Sequence, residues 1–171
     1  NQKKRYMLSA QLSYDITDWL NISGRVRVDN THTKYEQKLY ASSNLTITEE
    51  STQGHYTISK PDETQTYADV LANINKRFND FSLVANVGAS IVNNRYEDLS
   101  YRGPIREKGI PNVFNVFDLD NTKKKARQDE WQEQTKSIFA SVEVGWKSML
   151  YLTLTGRNDW ASQLANSSTP C

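Results

Sequence analysis

Six segments of this chain alternate apolar and polar residues with a period of two. That constrains the fold most, because only an extended strand sends successive side chains to opposite faces. Tyr6, Leu8, Ala10, Leu12 and Tyr14 share one face of the first segment, against Ser9, Gln11, Ser13 and Asp15. The second sets Leu20, Ile22, Gly24, Val26 and Val28 opposite Asn21, Ser23, Arg25, Arg27 and Asp29. In the third, Ala68, Val70, Ala72 and Ile74 oppose Asp69, Asn73, Asn75 and Arg77. Phe81, Leu83, Ala85, Val87, Ala89 and Ile91 make the fourth and cleanest face. The fifth carries Ile138, Ala140, Val142, Val144 and Trp146, and the sixth Leu150, Leu152, Leu154 and Gly156.

The connections are asymmetric. Short polar turns at residues 15–18, at Asn79 and Asp80, and at Lys147 and Ser148 alternate with long polar stretches over residues 31–66 and 93–135. Aromatics flank the short turns: Tyr14, Trp19, Phe78, Phe81, Trp146 and Tyr151. Short turns at one end, long loops at the other and aromatics at a boundary describe one side of an outer-membrane β-barrel wall. Each alternating run also has about the nine to eleven residues that a tilted strand needs to cross a bilayer. The fold class expected is therefore all-β: antiparallel up-and-down hairpins, about six strands, forming part of a transmembrane barrel wall with long extracellular loops. Residues 1–171 read as one segment, with no plug domain and no barrel closure. The alternative is a soluble β-sandwich serving as a binding or adhesin module, its apolar face packed on a second sheet.

Composition agrees with a wall in which only every second strand residue is apolar. Hydrophobic residues make up 37% of the chain, and mean hydropathy is −0.73. No run approaches the ~18 apolar residues of a membrane helix. A net charge of +1 offers no surface for nucleic acid, and the lone Cys171 excludes an internal disulfide framework. The opening Asn1, Gln2, Lys3 and Lys4 lead straight into a strand pattern with no leader visible. The expectation is a piece of something larger rather than a cytoplasmic chain. Such a piece, standing alone, is expected to curl into a small closed or sandwich-like sheet that covers the face of Leu83, Ala85 and Val87.

Catalysis has no constellation behind it, and neither a catalytic residue, a cofactor nor a metal is expected. His32 and His55 lie in or beside the first polar stretch without Cys or carboxylate at ligand spacing, and read as solvated. Glu49 and Glu50 are adjacent on what reads as extended chain and would point apart. Asp118, Asp120 and Asn121 lack the glycine and distal glutamate of a calcium loop. Sugar recognition fits better, since it pairs an aromatic platform with planar polar groups. The candidates are Tyr96, Tyr101, Arg102 and Trp131 in the second long stretch. Arg25, Arg27, Asn73, Asn86, Glu143 and Arg157 are expected to face the lumen or a plug as a structural charge network, since arginine facing hydrocarbon is costly. Lys76 interrupts an apolar face close enough to a turn to snorkel. Residues 109–117 form an apolar island expected to pack against something.

Residues 137–146 (Ser-Ile-Phe-Ala-Ser-Val-Glu-Val-Gly-Trp), turning into 150–160 (Leu-Tyr-Leu-Thr-Leu-Thr-Gly-Arg-Asn-Asp-Trp), resemble a barrel hairpin of SusC/RagA-type TonB-dependent transporters. The likeness extends through Ser162, Gln163 and Leu164 and residues 166–170, and back to residues 109–115 (Gly-Ile-Pro-Asn-Val-Phe-Asn). The resemblance implies a plugged outer-membrane barrel of about 22 strands in a Gram-negative bacterium. It implies active import of glycans or oligopeptides, driven by TonB through a region outside this segment. It also implies a SusD-like lipoprotein as partner at the cell surface.

Overall fold

The computed structural model describes residues 1–166. Seven strands form one antiparallel sheet: β1 (Gln2–Thr17), β2 (Leu20–Tyr40), β3 (Gly54–Ser59), β4 (Asp62–Phe78), β5 (Phe81–Pro104), β6 (Lys125–Trp146) and β7 (Leu150–Asn166). β3 and β4 both pair with β2 on one side and β5 on the other. They are one strand position, broken at Lys60 and Pro61, where proline has no N–H to donate. Six strand positions result, as the alternation predicts. No described helix is long and apolar enough to cross a membrane. Residues 167–170 and Cys171, where the sequence resemblance ends, lie outside the described residues.

The polar stretches are mostly strand. β5 alone runs for 24 residues, more than twice what a bilayer needs, so the hairpins continue well past the apolar run. The connections themselves shrink to residues 41–53 and 105–124. The first turn also shifts: β1 continues to Thr17 through a bulge between Asp15 and Thr17, and the reversal occurs at Asp18 and Trp19. At the second turn Phe78 pairs with Phe81, and Asn79 takes φ 48°. This is the mirror-image turn that matches strand twist. Lys147 and Ser148 both adopt positive φ at the third.

Register joins the six apolar runs into one face. The row Tyr14, Ile22, Ala72, Val87, Ala140 and Gly156 crosses the whole sheet through direct pairs, and the row Phe78, Phe81, Trp146 and Leu150 lies at the turn end. The band runs obliquely to these rows. Tyr6 is the first apolar residue of β1, and its row passes through Asn30, Thr64 and Arg95 to Gln132 on β6. The apolar run of β6 starts at Ile138, six residues closer to the turn. The edge therefore slips by six residues over four strand steps, or 1.5 residues per step. Strands 4.8 Å apart, rising 3.3 Å per residue and tilted about 45°, need a slip of about 1.5 residues per strand to keep one edge level with a membrane plane. The first two turns step in the same sense, while the second and third stand level. Leu20 pairs with Ile74, and β4 runs on to Phe78 before its own turn.

Among the described residues the apolar face carries no second layer. Leu12 is 82% exposed, Val70 57% and Leu154 66%. The total accessible surface is 12478 Å², whereas a compact monomer of this mass exposes about 8,600 Å². The described residues therefore do not build the sandwich alternative, because every described strand lies in one sheet. The expected curling is likewise absent: Ala85 is shielded by neighbours in its own sheet, but Val87 beside it is 46% exposed. A six-strand wall with hydrocarbon-length alternation has only one apolar face, and nothing among the described residues supplies its mate.

Aromatics mark both edges of the band. Tyr14, Phe78, Phe81 and Trp146 lie at the turn end, Tyr6 and Trp160 at the loop end. Lys76 Nζ sits 4.7 Å from the Trp19 ring and 5.1 Å from that of Phe78, so its charge leaves the apolar face at the turn.

Candidate ligand groove and loop clamp

The second face of the sheet is polar because the odd residues of β1 and β2 alongside the apolar band are, Met7 apart, Ser, Gln, Arg, Asn and Asp, and register carries that parity across. Arg25, Arg27, Asn73, Asn86, Glu143 and Arg157 all lie on it, opposite the apolar band. Five of the six, Arg25, Arg27, Asn73, Glu143 and Arg157, hold side-chain partners on that face. Arg25 pairs with Asp69 at 2.8 Å. Arg25 and Arg27 both lie over the Tyr67 ring, at 5.3 and 5.6 Å. Asn73 donates to Asn21 at 3.2 Å, Thr153 to Glu143 at 3.2 Å, and Arg157 to Asp159 at 2.9 Å.

Toward the loops, one row of this polar face reads Arg5, Thr31, Glu63, Tyr96 and Trp131 across five strands. Tyr96 and Trp131 are direct cross-strand partners. Their rings stack at 5.7 Å and 16°. The next row contributes Asp29, Gln65 and Asn94. Arg5 grips Asp29, and Gln65 donates to Asn94 at 2.9 Å. Together they line a groove of about 510 Å³, within the size of ordinary ligand sites. Burial, helped by Asp98, Asp129 and Glu63, raises the Tyr96 hydroxyl above its ordinary pKa, so it remains an O–H group.

Of the four candidates for ligand contact, the fold brings together Tyr96 and Trp131. Tyr101 lies on the opposite face, packed with Tyr56, Ile58 and Leu119. Arg102 returns to the polar face but sits farther out, paired with Glu49 at 3.0 Å. Sequence reading missed Arg5, Asp29, Glu63, Gln65 and Asn94. They lie in other segments, and only the strand register aligns them.

Beyond the groove the two loops are clamped together. Ser51 Oγ donates to the Ile105 carbonyl at 2.7 Å, and Thr48 Oγ1 to the Ser51 carbonyl at 2.8 Å. The apolar island divides. Phe114 packs edge-on against Tyr40 at 5.2 Å, Val116 is half-buried, and Phe117 stays 92% exposed. Tyr56 donates to Glu36 at 2.6 Å; burial and that carboxylate push the phenol up to about 12. Asp118 receives Arg106 at 2.8 Å, and Asp120 receives Thr122 Oγ1 at 2.6 Å. Both carboxylates thus serve the loop's own donors. Among the described residues no group of three or more His, Cys, Asp or Glu could hold a metal.

His55 corrects the sequence reading, because it is buried rather than solvated, at 4% exposure. The fold of residues 41–53 over it could not be read from its neighbours. Glu49 lies 3.6 Å from its Nε2. Glu49 and Glu50 do diverge, but through a left-handed turn with φ 55° and 68°, not through extended chain. Burial, with Arg102 adding to it, lowers the His55 pKa despite Glu49. Burial opposes ionisation of Glu49, but Arg102, His55 and Lys125 outweigh it and leave its pKa lowered. A histidine depressed in the folded state contributes stability above its unfolded pKa, which is lost as pH falls, and a depressed carboxylate acts in the same sense. Hydrogen exchange should therefore show residues 41–53 losing protection between pH 7 and pH 5 while the β5–β6 pairing keeps its own. His55→Phe should remove the part of that loss that sets in near neutral pH.

No protein-family model matches the sequence, and no curated protein matches it. Solved structures do. The fold is similar to the ferric preacinetobactin receptor BauA of Acinetobacter baumannii, with a TM-score of 0.65 and 18% identity over 98% of this chain and 26% of that one. It is also similar to the siderophore receptor PiuA of Acinetobacter baumannii, with a TM-score of 0.53 and 13% identity over 95% of this chain and 29% of the receptor. This chain thus shares its fold with part of each of these two receptors. The chain spans between a quarter and a third of the receptors it matches. At these identities the likeness is one of fold.

Proposed function

We propose that the chain is part of the wall and extracellular loops of a TonB-dependent transporter in the outer membrane of a Gram-negative bacterium. The carrying observation is the oblique apolar band, which slips 1.5 residues per strand as a tilted wall in a bilayer requires. On this reading the polar face looks into the lumen, β1 and β7 pair with further strands, and energy arrives from TonB. Phospholipid vesicles test the reading: the protein should float with them after carbonate washing. A protein left in the soluble fraction contradicts it.

The sequence resemblance supports the SusC/RagA type, with a SusD-like lipoprotein at the mouth and glycans or oligopeptides as cargo. The groove supports a sugar. A stacked Tyr96–Trp131 platform offers a flat apolar face, while Glu63, Gln65, Asn94 and Arg5 present the fixed donors and acceptors that hydroxyls need. Trp131→Ala should weaken oligosaccharide binding about tenfold, as expected for loss of an aromatic stacking contact of about 1.4 kcal/mol, read by calorimetry. Trp146→Ala on the opposite face should leave it unchanged. A second reading follows the solved neighbours, which are siderophore receptors. In that case the groove should take a ferric chelate in preference to oligosaccharide.

A further inference from the structure

The apolar face is not uniform. Between β1 and β7 it sinks into a trough of about 670 Å³, lined by Leu12, Val26, Val70, Ile91 and Ile138, with Trp160 and Lys136 at its loop-side edge. This volume lies in the range of sites that hold a discrete ligand, about 300–1,000 Å³. Gly24 lies on its floor, where an added Cβ would meet nothing nearer than the Asp69 carbonyl at 3.8 Å. The chain's own packing does not use that space.

The polar edge above the trough has a consistent sign. The first outward-facing polar residue beyond the apolar run is Lys4 on β1, Asn30 on β2, Thr66 on β4, Asn93 on β5 and Lys136 on β6. Two of the five are cations and none is a carboxylate. Among the described strand residues, carboxylates appear on this face only farther out, at Glu36, Asp62, Glu97 and Glu130. Lys136 pairs across with Trp160 on β7 and Ile91 on β5, so its ammonium stands between a ring suited to a lipid–water boundary and the trough. Neither Lys4 nor Lys136 forms an ion pair among the described residues.

We propose that this trough seats the acyl chains of a phosphorylated glycolipid of the outer leaflet, with a phosphate held by Lys136. The proposal rests on the wall reading above: the loop side is the cell surface, and the apolar band is the lipid face. An acyl chain fills the open space over Gly24, and the rim, carrying cations but no anion, accepts the headgroup charge. The site is distinct from the groove of Tyr96 and Trp131, which lies on the other face of the sheet.

Native mass spectrometry of the protein in detergent, with diphosphorylated lipid A as probe, tests this. Wild type should retain one lipid, and both dephosphorylated lipid A and Lys136→Gln should reduce retention at least about tenfold. Gly24→Leu, which fills the floor with hydrocarbon, should reduce it too while leaving flotation with vesicles intact. Millimolar inorganic phosphate should not compete. Equal retention of both lipids, an unchanged Lys136→Gln variant, or full competition by free phosphate overturns the proposal and leaves the wall reading standing. Failure of the wild type to float with vesicles overturns both.

Discussion

Val87→Arg should destabilise the protein folded in lipid vesicles by about 2–4 kcal/mol, the cost of arginine near the midplane of a barrel's lipid face. Val87 sits in the middle of the apolar run of β5, in a row with Ala72 and Ala140. It is 46% exposed within this chain. If water covered that face, the same change would be an ordinary surface substitution, within about 0.5 kcal/mol. The two accounts thus differ in size of effect, not only in detail. Asn86→Arg, one residue away on the polar face, is the control and should change stability by no more than about 0.5 kcal/mol. Urea titrations in vesicles read both. Equal effects at Val87 and Asn86 would show that the faces are not chemically distinct.

Gly88→Val should cost about 3 kcal/mol, the upper end of overpacking penalties. Gly88 pairs with Phe139 on β6. A Cβ there would lie 2.5 Å from the Phe139 ring and 2.9 Å from the Val70 carbonyl. The ring can move, but the carbonyl belongs to the β4 backbone and cannot. Phe139 lies on the polar face and covers the glycine, an arrangement that protects a bare backbone within a sheet. A double variant with Phe139→Ala should recover about 1 kcal/mol or more of the loss, because the two groups occupy the same space. Strictly additive losses would show that the ring does not depend on the missing side chain.

The alternation of the six segments made the apolar face readable, because a period of two assigns every residue to one side or the other. The slip of the band was not readable, since it depends on which residue faces which across loops of different length. Beyond the band, both faces of the strands are polar. The alternation that announces a strand disappears there, so β2 beyond Thr31 and β5 beyond Asn93 read as loop. That misreading placed Tyr96, Tyr101 and Arg102 together. Once β5 is known to continue to Pro104, the odd spacing of Tyr96 and Tyr101 puts them on opposite faces. The even spacing returns Arg102 to the side of Tyr96. Tyr101 then joins Tyr56 and Ile58 in the small core above the band. The burial of His55 has another origin, the fold of residues 41–53 clamped by Ser51 to Ile105. No local pattern encodes a contact between two loops so far apart in the chain.

One face of this sheet is expected to meet lipid and the other is not, and brominated-lipid quenching separates the two. Two variants, each with a single tryptophan, are compared in vesicles that carry bromine on the acyl chains. Trp146, at the turn end of the apolar band, should be strongly quenched, and Trp131, in the groove on the polar face, should not. Equal or absent quenching of the two would show that the apolar face is not the one that meets lipid.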